Sequence, residues 1–372
     1  MAVNTSPVSA GRALDILRAG WKAQNTGGLR TSWMLHGRPG VGKTQIVTQL
    51  AEEAGAHLID LRLTTIEPQD LRGLPYYDHD EKRTIWYRPE DLPQEETPPT
   101  VLFLDELTAA SPALQPTVYG LLQERRVGRH ELPANTFLVA AGNTTEDGAV
   151  AYEMGTGLSD RMVHLSVQAE AADWLKNYAV PRGLHPAVTA FIQTRPDLLE
   201  TTTAVLAGGQ MIAATPRSWE RASQILKAVP DRALARPMLA GTLGDGVAAE
   251  FISAADTIAA KVRVAEMLEL DRADRWQHYP DTLYGLYALT HGLVGALTPE
   301  STDAVIATML GIRQLAQRRD EPAFGRMPLA ELSTQGFESL IAKAFDLGLE
   351  EAFLQNTEYA AYSAEREALG LG

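Results

Sequence analysis

The 372-residue sequence contains no cysteine. That excludes disulfides, thiolate metal sites and cysteine nucleophiles. Its eight histidines are scattered, with no two spaced i, i+4, so no helical zinc motif is present. No apolar run approaches the roughly 18 residues of a membrane span. Met1–Ser9 lacks the charged segment and apolar core of a signal peptide. A soluble, cytoplasmic protein is the expectation. Positive charge is also short: 33 basic residues face 47 acidic ones, a net of −14. Such a chain repels nucleic acid and anionic lipid unless its charges segregate. The densest cationic stretches, Glu124–His130 and Arg313–Arg319, are mixed or short and read as solvated faces.

What is present is an ordinary globular composition, 45% apolar, in a chain long enough for two to three domains. Residues 1–30 read as a polar leader and one helix, with Leu14, Ile16, Leu17 and Trp21 near helical spacing. From Thr31 to Val167 short apolar runs alternate with helical patterns. The predicted strands are Ser32–Leu35, His57–Leu63, Val101–Leu104, Phe137–Ala141 and Met162–Leu165, with helices such as Thr44–Ala54 and Pro112–Gln123 between them. That alternation predicts an α/β fold, a mostly parallel sheet of five strands flanked by helices. Beyond Val167 helical periodicity dominates, and Pro230-Asp231 reads as a boundary. The expected domains are 1–170, 171–229 (a small helical domain) and 230–372 (a helical extension).

The strongest motif is Gly37-Arg38-Pro39-Gly40-Val41-Gly42-Lys43-Thr44, which fits GxxxxGK[ST] between a strand and a helix. Its glycines let backbone N–H groups close round phosphate oxygens, and the helix N-terminus adds a favourable dipole. Lys43 suits the β- and γ-phosphates, and Thr44 suits Mg²⁺. The second motif, Val101-Leu102-Phe103-Leu104-Asp105-Glu106, ends a buried strand in two carboxylates. They stand where ligands of α/β sheets bind. Asp105 is the candidate metal ligand with Thr44, and Glu106 the candidate general base. A third strand ends in Gly142-Asn143-Thr144, where Asn143 suits either the placing of a water or a turn. Two further segments each offer a cation for developing phosphate charge: Leu158-Ser159-Asp160-Arg161-Met162 and Thr215-Pro216-Arg217-Ser218-Trp219. In the latter, Thr215 suits an N-cap, with Pro216 at the first helical position.

These five motifs, in this order, resemble an AAA+ ATPase, and more narrowly the MoxR family. The narrower resemblance adds Asp70-Leu71-Arg72-Gly73-Leu74-Pro75, and Leu121-Leu122-Gln123-Glu124-Arg125-Arg126-Val127 leading through Leu132-Pro133 to Asn143. It covers residues 28–229. It implies an AAA+ core, a helical lid, and ATP and Mg²⁺ as ligands. Gly37, Pro39, Gly40, Val41, Gly42, Lys43 and Thr44 match the Walker A positions, Asp105 and Glu106 match Walker B, and Asn143 matches sensor 1. Arg161 matches the arginine finger, which acts on a neighbouring subunit's ATP, and Arg217 matches sensor 2. The segments 65–94 and 126–133 occupy the places of the family's helix-2 insert and pre-sensor-1 hairpin, which face a ring's pore. The resemblance further implies a homo-oligomer, usually a hexamer, that remodels or matures a protein substrate in the manner of a chaperone. It also implies a partner with a von Willebrand factor A domain. The metal motif of that domain, Asp-x-Ser-x-Ser, is absent here, so the partner would be a separate chain. The leader before the glycine loop is shorter than the family's, and the adenine pocket stays unassigned. Two alternatives remain on the same core: a nucleic-acid motor or loader, disfavoured by the charge, and a nucleotide-dependent assembly switch, disfavoured by Glu106 and Arg161.

Overall fold

A computed structural model describes residues 4–96, 98–143, 160–261 and 263–368. Thr144, Leu158 and Ser159 of the motifs above lie outside the described residues. The chain divides into two compact units, Met1–Ala169 and Glu170–Gly372.

The first unit is built on β1 (Pro7–Val8), β2 (Ser32–His36), β3 (His57–Arg62), β6 (Thr100–Asp105), β9 (Phe137–Gly142) and β10 (Met162–Val167), with the small strands β4 (Pro75–Asp78), β5 (Arg83–Trp86), β7 (Arg126–Val127) and β8 (His130–Glu131) set in its connections. The six main strands form one sheet in the order β1-β10-β2-β9-β6-β3, every neighbouring pair parallel. All five expected strands are there. The sheet is wider by one strand than expected: Pro7–Val8, in the segment read as a polar leader, pairs with Ser166 and Val167 along the edge. A two-residue strand carries too little periodicity to announce itself in sequence.

Side chains of β2, β6 and β9 alternate between two buried faces. Met34, Leu102, Leu104, Leu138 and Ala140 enter one core, and Trp33, Leu35, Val101, Phe103, Phe137, Val139 and Ala141 the other. Burial on both faces is what a parallel sheet with helices on either side demands. Helix α1 (Ala10–Gly27) buries Leu14 and Leu17, and α2 (Lys43–Glu53) buries Ile46, Val47 and Leu50, in the second of these cores. The connection from β3 to β6 holds the short helix α3 (Pro68–Arg72) and the antiparallel hairpin β4–β5. A second hairpin, β7–β8, follows α4 (Gln115–Glu124).

The second unit is helical. Its helices include Pro186–Thr194, Pro216–Ala228, Asp245–Lys261, Leu283–Gly295, Thr302–Gln314 and Leu329–Leu347. Phe191, Trp219 and Phe251 stack edge-on or tilted with centroids 5.1–5.5 Å apart. These rings come from both sides of the expected boundary at 229/230, so that turn runs through a shared core. Two histidines of this unit, His185 and His291, are half-buried. Burial, reinforced at His185 by Arg232 and Lys227, pushes both His185 and His291 down to about 4.

A neutral ring with a folded pKa below its unfolded value stabilises the fold fully above the unfolded value, near 6.5, and loses that contribution as pH falls towards 4. The thermal midpoint is therefore expected to fall between pH 6.5 and 4, by a loss on the order of 3 kcal/mol for each ring. Replacing His291 by leucine should flatten the profile in that window, as followed by circular dichroism. A variant whose midpoint declines as steeply as the wild type would refute the assignment.

Candidate nucleotide site

The site forms because the strands run parallel. The loop after β2, the end of β6 and the end of β9 all leave the sheet at the same, C-terminal edge, with β2 beside β9 and β9 beside β6. Gly37 joins the loop to the sheet: its N–H donates to Gly142 O at 3.3 Å, and a Cβ there would lie 2.5 Å from the Val167 carbonyl oxygen. Gly42 is left-handed, φ 108°, and nothing lies within 4 Å of where a Cβ would stand. It is also the N-cap of α2 and offers no side-chain acceptor. No side-chain cap therefore competes with an external anion at the start of α2.

Lys43 is buried and folds back over the loop. Its Nζ donates to Asn143 Oδ1 at 2.9 Å, to Arg38 O at 3.1 Å and to Gly37 O. The ammonium thus bridges the glycine loop and the tip of β9, and Asn143 is held in turn by its N–H on Thr108 Oγ1 at 3.0 Å. Thr44 Oγ1 stands 3.4 Å from Asp105 Oδ2. A hydroxyl and a carboxylate are hard oxygen ligands that suit Mg²⁺. Among the described residues no group of three or more His, Asp or Glu side chains could hold a metal unaided. A cation here would depend on Thr44, Asp105, water and phosphate oxygens, which is how Mg²⁺ is usually held.

Glu106 is turned out of the strand into the left-handed region, φ 59° and ψ 34°, a rare conformation for a residue with a side chain. Its N–H donates to Asp105 Oδ1 at 2.9 Å. Its own carboxylate does not face the loop freely: Thr64 Oγ1 donates to Glu106 Oε2 at 2.6 Å. Sequence reasoning missed Thr64, which follows the end of β3 and reaches Glu106 across 42 residues. Desolvation, followed by the charge of Asp105, raises Asp60 on the same edge strand above the ordinary carboxylate range.

Arg161 does not join this cluster. Arg161 immediately precedes β10, and the register pairs Met162 with Ser32, the first residue of β2. It stands at the N-terminal edge of the sheet, about 17 Å of extended strand from the glycine loop. A three-methylene stem does not span that distance. Arg217 belongs to the helical unit, exposed in the first turn of helix Pro216–Ala228. Thr215 caps that helix as expected: Ser218 N donates to Thr215 Oγ1 at 3.2 Å, and Thr215 N to Ser218 Oγ at 2.7 Å.

Residues 32–162 match the family model of the AAA domain, dynein-related subfamily. Over that stretch the chain is similar to AAA-type ATPase domains. The matched stretch runs from the first residue of β2 to the first residue of β10 and contains every member of the cluster above. The chain is also 35% identical over 116 residues to ATPase family gene 2 protein homolog B of Bos taurus. That stretch is 31% of this chain and only 12% of the bovine protein. Among solved structures, a RuvB P216G mutant of Thermotoga maritima superposes with a TM-score of 0.39 at 14% identity, covering 91% of this chain and 89% of that one. The Thermotoga maritima RuvB Holliday junction branch migration motor superposes at 0.36 and 15% identity, covering 90% and 86%. Scores this low say nothing about what the AAA domain here acts on.

Thr64 holds one of the two carboxylate oxygens of Glu106 and stabilises its charged form, and a hydrogen bond to a carboxylate is worth about 1.5–3 kcal/mol. Thr64→Val is expected to raise basal ATP hydrolysis about tenfold, measured as phosphate release. A rate at or below wild type would mean that Thr64 orients Glu106 rather than restrains it.

Proposed function

We propose that the chain is a Mg²⁺-dependent, MoxR-like AAA+ ATPase that assembles as a ring, a hexamer, and spends ATP hydrolysis on remodelling or maturing a protein partner in the cytoplasm. The observation that carries this reading is the separation of Arg161 from its own glycine loop. An arginine fixed at the far edge of the sheet cannot serve its own phosphates. It is free to serve a neighbour's, and that requires a subunit interface.

In this reading the loop N–H groups and Lys43 bind phosphate, and Asn143 orients Lys43 and the attacking water. Glu106, released by Thr64, takes the proton from that water as its oxygen attacks the γ-phosphorus. Mg²⁺, held by Thr44 and Asp105, supplies neutralising charge to the phosphates. Arg161 of the neighbour and Arg217 from the lid, residues 171–229, add cations where negative charge develops.

The protein-remodelling part rests on the hairpin β4–β5. Leu74, Tyr76, Tyr77 and Tyr87 are each half or more exposed, and the Tyr76 and Tyr87 rings lie 5.6 Å apart. Its tip mixes Asp78, Asp80 and Glu81 with Lys82 and Arg83, and Arg83 pairs with Asp78 and Glu81 at 3.6 Å. An exposed aromatic surface beside a mixed-charge tip suits the grip of a polypeptide. A separate protein with a von Willebrand factor A domain is the proposed partner.

The test is ATP hydrolysis by Lys43→Ala alone, Arg161→Ala alone and their equal mixture. Each alone is expected to fall at least a hundredfold, and the mixture to regain activity, because some interfaces then join an intact loop to an intact arginine. Specific activity should also rise with protein concentration. Normal hydrolysis by Arg161→Ala would sink the ring reading. A Tyr76→Ala/Tyr77→Ala variant should keep basal hydrolysis and lose action on the partner.

A further inference from the structure

Arg161 and Gln123 are 38 residues apart in sequence, yet their side chains meet: Arg161 Nη1 donates to Gln123 Oε1. Gln123 stands in the last turn of α4, and that helix end is fixed at two points. Ser32, at the start of β2, donates from Oγ to Leu122 O at 2.7 Å. Arg125 turns left-handed, φ 54°, and closes the helix with its N–H on Leu121 O. Ser32 is also the register partner of Met162, the residue after Arg161. The end of α4, the start of β2 and the start of β10 are therefore one clamped corner, with Arg161 projecting from it.

The hairpin β7–β8 begins directly after Arg125, and it is tied to the aromatic insert. Arg88 Nη2 donates to Glu131 O at 2.9 Å, and also to Pro93 O within the insert. The Arg72 guanidinium lies 5.3 Å from the centre of the Trp86 ring. A continuous run of contacts thus leads from β4–β5 through β7–β8 to Gln123.

We propose that Gln123 is the positioning residue for Arg161, and that the two hairpins bias a neighbouring subunit's hydrolysis through it. The proposal rests on the reading of Arg161 as acting across a subunit boundary. The chemistry favours a neutral amide at this position. A guanidinium has five N–H donors. One is engaged by the Gln123 carbonyl, which fixes the direction of the side chain without placing an opposing charge at position 123. A carboxylate would instead form a bidentate pair and hold the cation back. Contiguity alone does not demonstrate coupling, so the test has to separate holding from relaying.

The experiment measures kcat, KM for ATP and thermal midpoint for Gln123→Ala, Gln123→Glu, Arg161→Ala and the double variant Gln123→Ala/Arg161→Ala, all in the full chain. Gln123→Ala is expected to lower kcat about tenfold with KM unchanged, because the subunit's own loop lies at the other edge of the sheet. Gln123→Glu should also lower kcat while its midpoint holds or rises, opposite directions that a merely structural role does not produce. The double variant should be no slower than Arg161→Ala. Wild-type kcat in both Gln123 variants, with Arg161→Ala inactive, overturns the proposal and leaves the arginine reading standing. Normal turnover by Arg161→Ala overturns both. Arg88→Ala, which cuts the tie between the hairpins, should lower kcat in the wild-type background and add nothing to Gln123→Ala. Additive losses would overturn the relay.

Discussion

Six strands running in one direction sort the chemistry of this chain by edge. A parallel sheet sends every loop that follows a strand to one side and every loop that precedes a strand to the other. Gly37 and Asn143 follow β2 and β9, and Asp105-Glu106 stand at the end of β6, so three segments far apart in sequence converge. Arg161 precedes β10, so it is held away from them by the length of a strand. The register that pairs Leu35 with Ala141 and Leu104 with Ala140 fixes Lys43 against Asn143 and sets Thr44 beside Asp105. A slip of two residues in β9 would keep its buried faces and still carry Asn143 some 7 Å from the loop.

The parts of the site that sequence reasoning reached are those written as runs of neighbours. The glycine loop and the apolar strand ending in Asp105-Glu106 each combine a chemical motif with a periodicity, so position and element type are read together. Thr64 and Gln123 carry no such mark. Each is one polar residue among many, and its importance lies in a hydrogen bond closed across 42 or 38 residues. No local pattern encodes that. The helical unit was legible as helix but not as packing. Trp219 and Phe191 stack on Phe251 from beyond the expected boundary because an amphipathic face shows that a partner is needed, not which partner it is. The edge strand Pro7–Val8 escaped for a simpler reason: its pairing rests on two residues.

Around Lys43 the chain satisfies a buried cation with its own carbonyls and Asn143. A buried ammonium without partners would cost several kcal/mol. Anchoring it at rest lets the loop keep its shape, and it means that the same side chain couples the glycine loop to the end of β9. Asn143 is consequently a structural contact as well as a candidate for the chemistry, and the two roles meet in one amide.

The backbone at Glu106 has a consequence of another kind. A left-handed residue with a β-carbon costs roughly 1 kcal/mol, a penalty that glycine escapes and asparagine largely avoids. Selection for stability alone would drift this position towards those two residues. Any screen of this protein for heat resistance is therefore biased to find position 106 early, and to return folded chains that have discarded their carboxylate. On the proposed reading of Glu106 as the base, a glutamate kept there is held by turnover and not by robustness.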